Sequence, residues 1–287
     1  MGRVYLARHK LMKRQVAVKM MHPQLISGKS ALRRFQKEAE LASALNHPNI
    51  LTVYDFGVTE TGSPYLVMDY YEGEDLARHL KPPRKGQPGV QLPWRRVVAL
   101  LLPVLDGLQK VHQAGFMHRD IKPGNLYLTR DDELILLDFG SARQVSGTHS
   151  RSLLIYSEGF APYEQYLQDH LNRQGPWTDV YAVAATLYFM LTAHRLPSAL
   201  DRKQATLLQQ PDALKPARHY LPDLPPALDA ALLRALAVEP EQRLQSVVEF
   251  KRQLEATLTE DQLALNCRPS QPRPPNRPNP KPLRKYL

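Results

Sequence analysis

His118-Arg119-Asp120-Ile121-Lys122-Pro123-Gly124-Asn125 is the stretch on which the reading of this chain turns. Thirteen residues beyond Asn125 comes Asp138-Phe139-Gly140. Asp120, Asn125 and Asp138 have the spacing of a phosphoryl-transfer site. One carboxylate can accept the proton of an attacking hydroxyl, while an amide oxygen and a second carboxylate can hold magnesium against phosphates. Between them lie two apolar runs, Leu126-Tyr127-Leu128 and Leu134-Ile135-Leu136-Leu137, separated by Arg130-Asp131-Asp132. The pattern predicts a hairpin. It would put Asn125, at the start of one strand, beside Asp138, at the end of the next.

The order and spacing of these motifs resemble the eukaryotic-like Ser/Thr protein kinases, especially their bacterial members. Either tripeptide alone occurs often by chance. Both in order, with Asn five residues after Asp120, rarely do. The resemblance implies a bilobal α+β fold: a small N-lobe of antiparallel strands with one helix, and a larger helical C-lobe. It also implies roles. Asp120 would accept the substrate proton, Lys122 would stabilise the transferring phosphoryl group, and Asn125 and Asp138 would bind Mg2+, with Mn2+ as an alternative. Lys122 followed by Pro123 resembles the Ser/Thr rather than the Tyr kinases.

Bulk properties set limits. The chain has 287 residues, 43% hydrophobic and 23% charged, ordinary for a globular protein. Its single cysteine, Cys267, cannot form an internal disulfide and fits a reducing compartment. No apolar run approaches the roughly 18 residues needed to cross a bilayer, and the early Arg8, His9 and Lys10 argue against a signal peptide. The expectation is therefore a cytoplasmic protein with no membrane span in this chain. Membrane anchoring would require residues beyond the tail. The net charge of +10 does not point to nucleic acid, because six basic residues fall after Asn266 with no acidic ones among them. About +4 is left on the rest, which is unremarkable. The Pro- and Arg-rich stretch 266–287 is expected to be disordered or polyproline-like, a linker first and a weak contact for anionic lipid second. The kinase-like domain is expected over 1–265, as N-lobe 1–68, hinge 69–72 and C-lobe 73–265.

The N-terminal part reads as strands at Arg3 to Ala7, Gln15 to Met20, Leu51 to Phe56 and Pro64 to Met68, with a helical pattern from Ser30 to Leu45. Val16-Ala17-Val18-Lys19 resembles the family strand whose lysine holds the α- and β-phosphates of ATP. Taken alone, Lys19 could equally be a solvated lysine. Glu38 in the following helix matches the glutamate that pairs with it. Val4 lies fifteen residues before Lys19, the family's usual spacing, so Gly2 corresponds to the third glycine of the phosphate-covering loop. The first strand and first two glycines are missing from the sequence as written. A start placed too late, or a fragment, is the favoured expectation, because the catalytic residues downstream are intact. A degenerate protein is the alternative.

In Tyr65-Leu66-Val67-Met68-Asp69-Tyr70-Tyr71 the resemblance places the last N-lobe strand and the hinge. Met68 would guard the back of the adenine pocket, and the backbone from Asp69 to Tyr71 would meet the adenine edge. Asp75 would face the ribose, and Ala17 and Tyr127 complete the nucleotide site. Met68 alone reads equally as core packing. A basic Pro/Gly loop is expected over Lys81 to Leu92. A long buried helix follows from Trp94 to Gly115, kinked at Pro103.

After Gly140, the polar stretch Ser141 to Glu158 resembles an activation segment, with Thr148, Ser150 and Ser152 as candidate phosphosites and Arg119 as their basic partner. A flexible polar loop is the alternative. Ser157 occupies the family position that bridges Asp120 and Lys122. Glu164, within Tyr163-Glu164-Gln165, is expected to pair with Arg243, and Tyr163 stands where Pro is commoner in the family. Asp179 would accept hydrogen bonds from the catalytic-loop backbone, cap a helix, or do both. An apolar helix is expected over 179–188 and further helices near 198–209, 226–237 and 246–258.

The expected activity is transfer of the γ-phosphoryl group of ATP to Ser or Thr hydroxyls of proteins, including the chain's own activation segment, with self-association serving autophosphorylation. Two rivals stand beside it. One is a pseudokinase scaffold that binds nucleotide with little turnover. The other is a small-molecule phosphotransferase, which shares the Asp-Asn-Asp site but lacks a peptide-docking segment.

Overall fold

The β-branched and aromatic residues of Val4-Tyr5-Leu6 and Val16-Ala17-Val18 favour extended chain, and the two runs pair. In a computed structural model describing residues 3–11, 13–21, 36, 39–40, 43–81, 89–139, 143–144, 158–167 and 174–258, β1 (Arg3–Arg8) lies antiparallel to β2 (Gln15–Met20). β3 (Val53–Val58) and β4 (Pro64–Asp69) complete a four-stranded antiparallel sheet in the order β1-β2-β4-β3. Its inner face buries Ala17, Val53, Leu66 and Met68 against Ile50, Leu51, Val111, Ile135 and Phe139. Each apolar side chain fully removed from water there contributes about 1.5–3 kcal/mol.

The third strand starts two residues later than the sequence predicts. Leu51 N–H donates to the Leu136 carbonyl at 3.0 Å, and Leu136 N–H donates to the Asn49 carbonyl at 2.8 Å. Ile50 and Leu51 thus pair with the second lobe before the chain enters the sheet. This parallel bridge stitches the lobes together behind the cleft.

The chain leaves β4 through the hinge into β5 (Gly73–Asp75) and one turn of helix, α1 (Leu76–His79). A Cβ on Gly73 would stand 2.1 Å from the Leu128 carbonyl, and its φ is 154°. Only glycine lets the hinge lie this close to the strand beneath it. α2 (Trp94–Gln113) buries Val97, Val98, Leu101, Val104, Leu105, Leu108 and Val111 at helical spacing, and Pro103 lies within it. β6 (Phe116–Met117) leads to the catalytic-loop motif and a 3₁₀ turn at Pro123–Asn125.

β7 (Leu126–Thr129) and β8 (Leu134–Leu136) form the predicted hairpin, reversing at Asp132, whose φ is 61°. β9 (Arg143–Gln144) pairs with β6. A second 3₁₀ turn, Tyr163–Gln165, precedes α3 (Pro176–Thr192). α3 starts three residues before the predicted limit and is buried almost all round, as a central core helix should be. α4 (Ala199–Leu207), α5 (Pro226–Ala235) and α6 (Val247–Glu255) pack around it, with the Ser246 hydroxyl capping α6. The architecture is α+β in two lobes, a β-rich one and a helical one. Among the described residues no helix is long and apolar enough to cross a membrane. The tail 266–287 and the expected helix around Glu38 fall wholly or largely outside the described residues.

Candidate active site

A cleft of about 400 Å³ opens between the lobes. Val4, Ala17, Leu66 and Met68 form its apolar wall, and the hinge residues Asp69 to Tyr71 form its edge. Tyr127 and Asp75 line it from the second lobe, and Lys19, Asn125 and Asp138 line its polar end. An apolar slot with a few convergent polar groups at one end suits a flat heterocycle carrying an anionic tail.

The hairpin sets the polar end. Leu137 N–H donates to the Asn125 carbonyl at 2.8 Å, which extends the β7–β8 ladder by one step and puts residues 125 and 138 side by side. Asp138 has a left-handed φ of 58°, an unfavourable conformation for a side chain with a Cβ. Its Oδ2 lies 3.0 Å from Lys19 Nζ, an ion pair between the lobes. Asn125 Nδ2 donates to the Asp120 carbonyl at 2.7 Å and to Asp120 Oδ2 at 2.8 Å. Both amide hydrogens are committed in this way, which leaves the amide oxygen for a cation. Lys122 Nζ bonds both Asp120 carboxylate oxygens at 2.8 Å. Two bonded groups therefore face each other there, Asp120 with Asn125 and Lys122, and Asp138 with Lys19, and the Leu137–Asn125 backbone bond holds them side by side.

The loop that carries Asp120 hangs from α3. Asp179 is fully buried. It accepts from His118 N–H at 2.9 Å and from Arg119 N–H at 2.8 Å. The helix begins at Pro176, right after Gly175 and three residues before Asp179, so the carboxylate serves the loop and not the helix end. Burial pushes the Asp179 carboxyl up. The hydrogen bond and charge of His112, the charge of His118 and the Arg119 amide outweigh it, and the net pKa is lowered. His118 packs edge-on against Phe139 at 5.0 Å, and its Nε2 lies 3.0 Å from the Leu137 carbonyl.

Beyond the cleft, Arg243 makes two bonds to Glu164, at 2.6 and 2.9 Å. Asp75 caps α1 by accepting from Arg78 N–H at 2.9 Å, so one of its oxygens has a structural task besides facing the cleft. Tyr127 adds a bond that its side-chain type alone did not specify: its hydroxyl donates to the Gly73 carbonyl at 2.7 Å and ties the cleft floor to the hinge. Gly2, Glu38, Thr148, Ser150, Ser152 and Ser157 lie outside the described residues.

Sequence reasoning missed three supports. His112 Nε2 sits 2.8 Å from Asp179 Oδ2. Thr178 donates to Glu164 Oε1 at 3.1 Å. Tyr54 donates a short hydrogen bond to Asp69 Oδ1. A histidine one residue after the buried Val111, in the last turn of the helix, is the only local trace of the first.

The chain matches the family model described as the protein kinase domain over residues 1–253. It is 34% identical over 270 residues to a probable serine/threonine-protein kinase of Streptomyces coelicolor, a match covering 90% of this chain and 38% of that protein. It is also 34% identical over 260 residues to the serine/threonine-protein kinase PknB of Mycolicibacterium smegmatis, covering 88% and 40%. The chain thus spans well under half the length of these curated relatives. The crystal structure of the Mycobacterium tuberculosis PknI kinase domain superposes with a TM-score of 0.66 at 30% identity, covering 89% of this chain and 91% of that one.

Proposed function

The chain belongs to the protein kinase domain family, and on that premise we propose that it transfers the γ-phosphoryl group of ATP to Ser or Thr hydroxyls of proteins. The single observation that carries this reading is the convergence of two bonded pairs, Asp120–Asn125 and Lys19–Asp138, at the polar end of an apolar cleft.

Asp120 accepts the proton of the acceptor hydroxyl and orients its oxygen. Lys122, held on the Asp120 carboxylate, supplies positive charge where the phosphoryl group passes. Lys19 holds the α- and β-phosphates, with Glu38 as its partner from the N-lobe helix. The Asn125 amide oxygen and the Asp138 carboxylate are hard oxygen donors, the type that magnesium or manganese takes. When bound, such an ion draws charge from the phosphate oxygens. Val4, Ala17, Met68 and Tyr127 enclose the adenine, the Asp69–Tyr71 backbone reads its edge, and Gly2 belongs to the loop over the phosphates. Placement and fixed charge supply most of the rate.

Proteins are the acceptors in this reading, because the Glu164–Arg243 pair fixes the end of a segment suited to peptide docking. Thr148, Ser150 and Ser152 are the proposed sites of self-modification, with Arg119 as the basic partner, Ser157 bridging to Asp120 and Lys122, and self-association bringing two copies together. We place the reaction in the cytoplasm, where ATP is abundant and Cys267 stays reduced. The test is incubation with γ-labelled ATP, magnesium and a generic basic protein, followed by phosphoamino-acid analysis. Label on serine or threonine supports the reading. Nucleotide binding without any label supports a scaffold instead.

A further inference from the structure

Gln165 ends the 3₁₀ turn that follows the activation-segment region, and it is 3% exposed. Its Nε2 does not bond within its own turn. It crosses to the catalytic loop and donates to the Arg119 carbonyl at 2.9 Å.

That carbonyl begins the peptide leading into Asp120. Arg119 holds φ at 68°, in the left-handed region that a side chain with a Cβ rarely occupies. Such a conformation persists only where its surroundings impose it. The Arg119 N–H is fixed by Asp179 Oδ1 at 2.8 Å and its C=O by Gln165. Both backbone polar groups of one strained residue are therefore pinned from different elements. Asp179 controls the entry to residue 119, and Gln165 controls the exit toward residue 120.

We infer that Gln165 is a positioning residue for Asp120, acting through the Arg119 carbonyl. This rests on the reading of Asp120 as the proton acceptor. Without the Gln165 amide the carbonyl loses its buried donor, and the peptide plane is free to rotate to seek another. Asp120 then swings on that peptide while the adenine end of the cleft, built from β2, β4 and the hinge, stays intact. The neighbouring Glu164 bonds Arg243, so the same turn divides its duties: residue 164 fixes the segment to the C-lobe, and residue 165 fixes the catalytic loop to the segment. The position of the segment's end is thereby transmitted to the catalytic carboxylate through one hydrogen bond.

The experiment compares wild type, Q165M and Q174M. Gln174 is a second buried glutamine, bonded to the Glu164 carbonyl and not to the catalytic loop. A misplacement near 1 Å can cost on the order of 10²-fold, so kcat of Q165M should fall about tenfold or more, with KM for ATP within about twofold. Amide hydrogen exchange across residues 118–122 should accelerate in Q165M and not in Q174M, which should also keep kcat. If Q165M does not fold, Q165N keeps an amide that is one methylene too short to reach, and should show the same split. The inference is overturned if the folded Gln165 variant keeps wild-type kcat, if Q174M loses as much, or if exchange across 118–122 is unchanged. Should wild type transfer no more label than D120N, the proposed function fails, while the exchange comparison still decides whether Gln165 holds the loop.

Discussion

The Arg243 guanidinium grips the Glu164 carboxylate through two parallel hydrogen bonds of 2.6 and 2.9 Å, with both side chains fully buried. Two more Arg243 donors go to the Ala237 and Val238 carbonyls, and Thr178 supplies a further donor to Glu164. Removing one partner strands a charge in the core, at a cost of about 3–5 kcal/mol. R243M should therefore lower the urea midpoint sharply. E164Q, which leaves Arg243 without its counter-charge, should do the same. A midpoint shift equivalent to less than about 1 kcal/mol would mean that the pair is solvated.

Asp179 makes stability depend on acid. Its folded pKa lies below the ordinary value of 3.8, so its stabilising contribution is fully present above that value. The contribution is lost as pH falls through the lowered folded pKa. In D179N the contribution is absent at every pH. Urea midpoints of the two proteins should differ most at neutral pH and converge as pH drops below the ordinary carboxylate range. A gap that widens in acid would reverse the sign and contradict the assignment.

Lys19 and Asp138 separate stability from activity. Their ion pair has side-chain exposures of 22% and 42%, so solvent screens it and its net worth is below about 1 kcal/mol. K19M should melt close to wild type yet lose about 10²- to 10³-fold in transfer rate, the scale for removing a preorganised charge. Calorimetric melting alongside labelled-phosphate transfer gives both numbers from one preparation. A large fall in melting temperature with transfer retained would assign Lys19 a structural part only.

Tyr54 supports the hinge from outside the cleft. Burial, followed by its hydrogen bond to the Asp69 carboxylate, pushes the phenol pKa up to about 12, and Arg14 stacks on its ring at 3.6 Å. In an ultraviolet titration Tyr54 should ionise late, together with Tyr127, Tyr181 and Tyr188, whose phenols burial also pushes up, and Y54F should shrink that late step by one phenol. Y54F should also cost about 1 kcal/mol, the net worth of an ordinary hydrogen bond. An unchanged titration curve in Y54F would break the assignment.

Local pattern made the catalytic hairpin legible. Two apolar runs around Arg130-Asp131-Asp132 can pair in only one compact way, and that pairing sets residue 125 beside 138. The central helix α3 was legible because its apolar run is long, although its true start at Pro176 needed the proline-at-first-position rule. What stayed hidden was mostly long-range. His112 meets Asp179 across 67 residues and Gln165 meets Arg119 across 46, and neither pairing leaves a mark on its own neighbourhood. The late start of β3 has the same origin, since Ile50 and Leu51 bond to a strand of the other lobe. α1, only four residues long, is too short for periodicity to reveal and exists because Asp75 caps it and Leu76 is buried.

In the proposed reaction Asp120, bonded to Asn125 and Lys122, is the group that receives the acceptor proton. Its most direct test is the single-turnover rate of phosphoryl transfer in D120N, measured with the ATP dissociation constant on the same protein. The predicted result is a rate lower by about 10²–10⁴-fold, the range for a general base, with ATP affinity within about threefold of wild type. A D120N protein that transfers phosphate at the wild-type rate would contradict it.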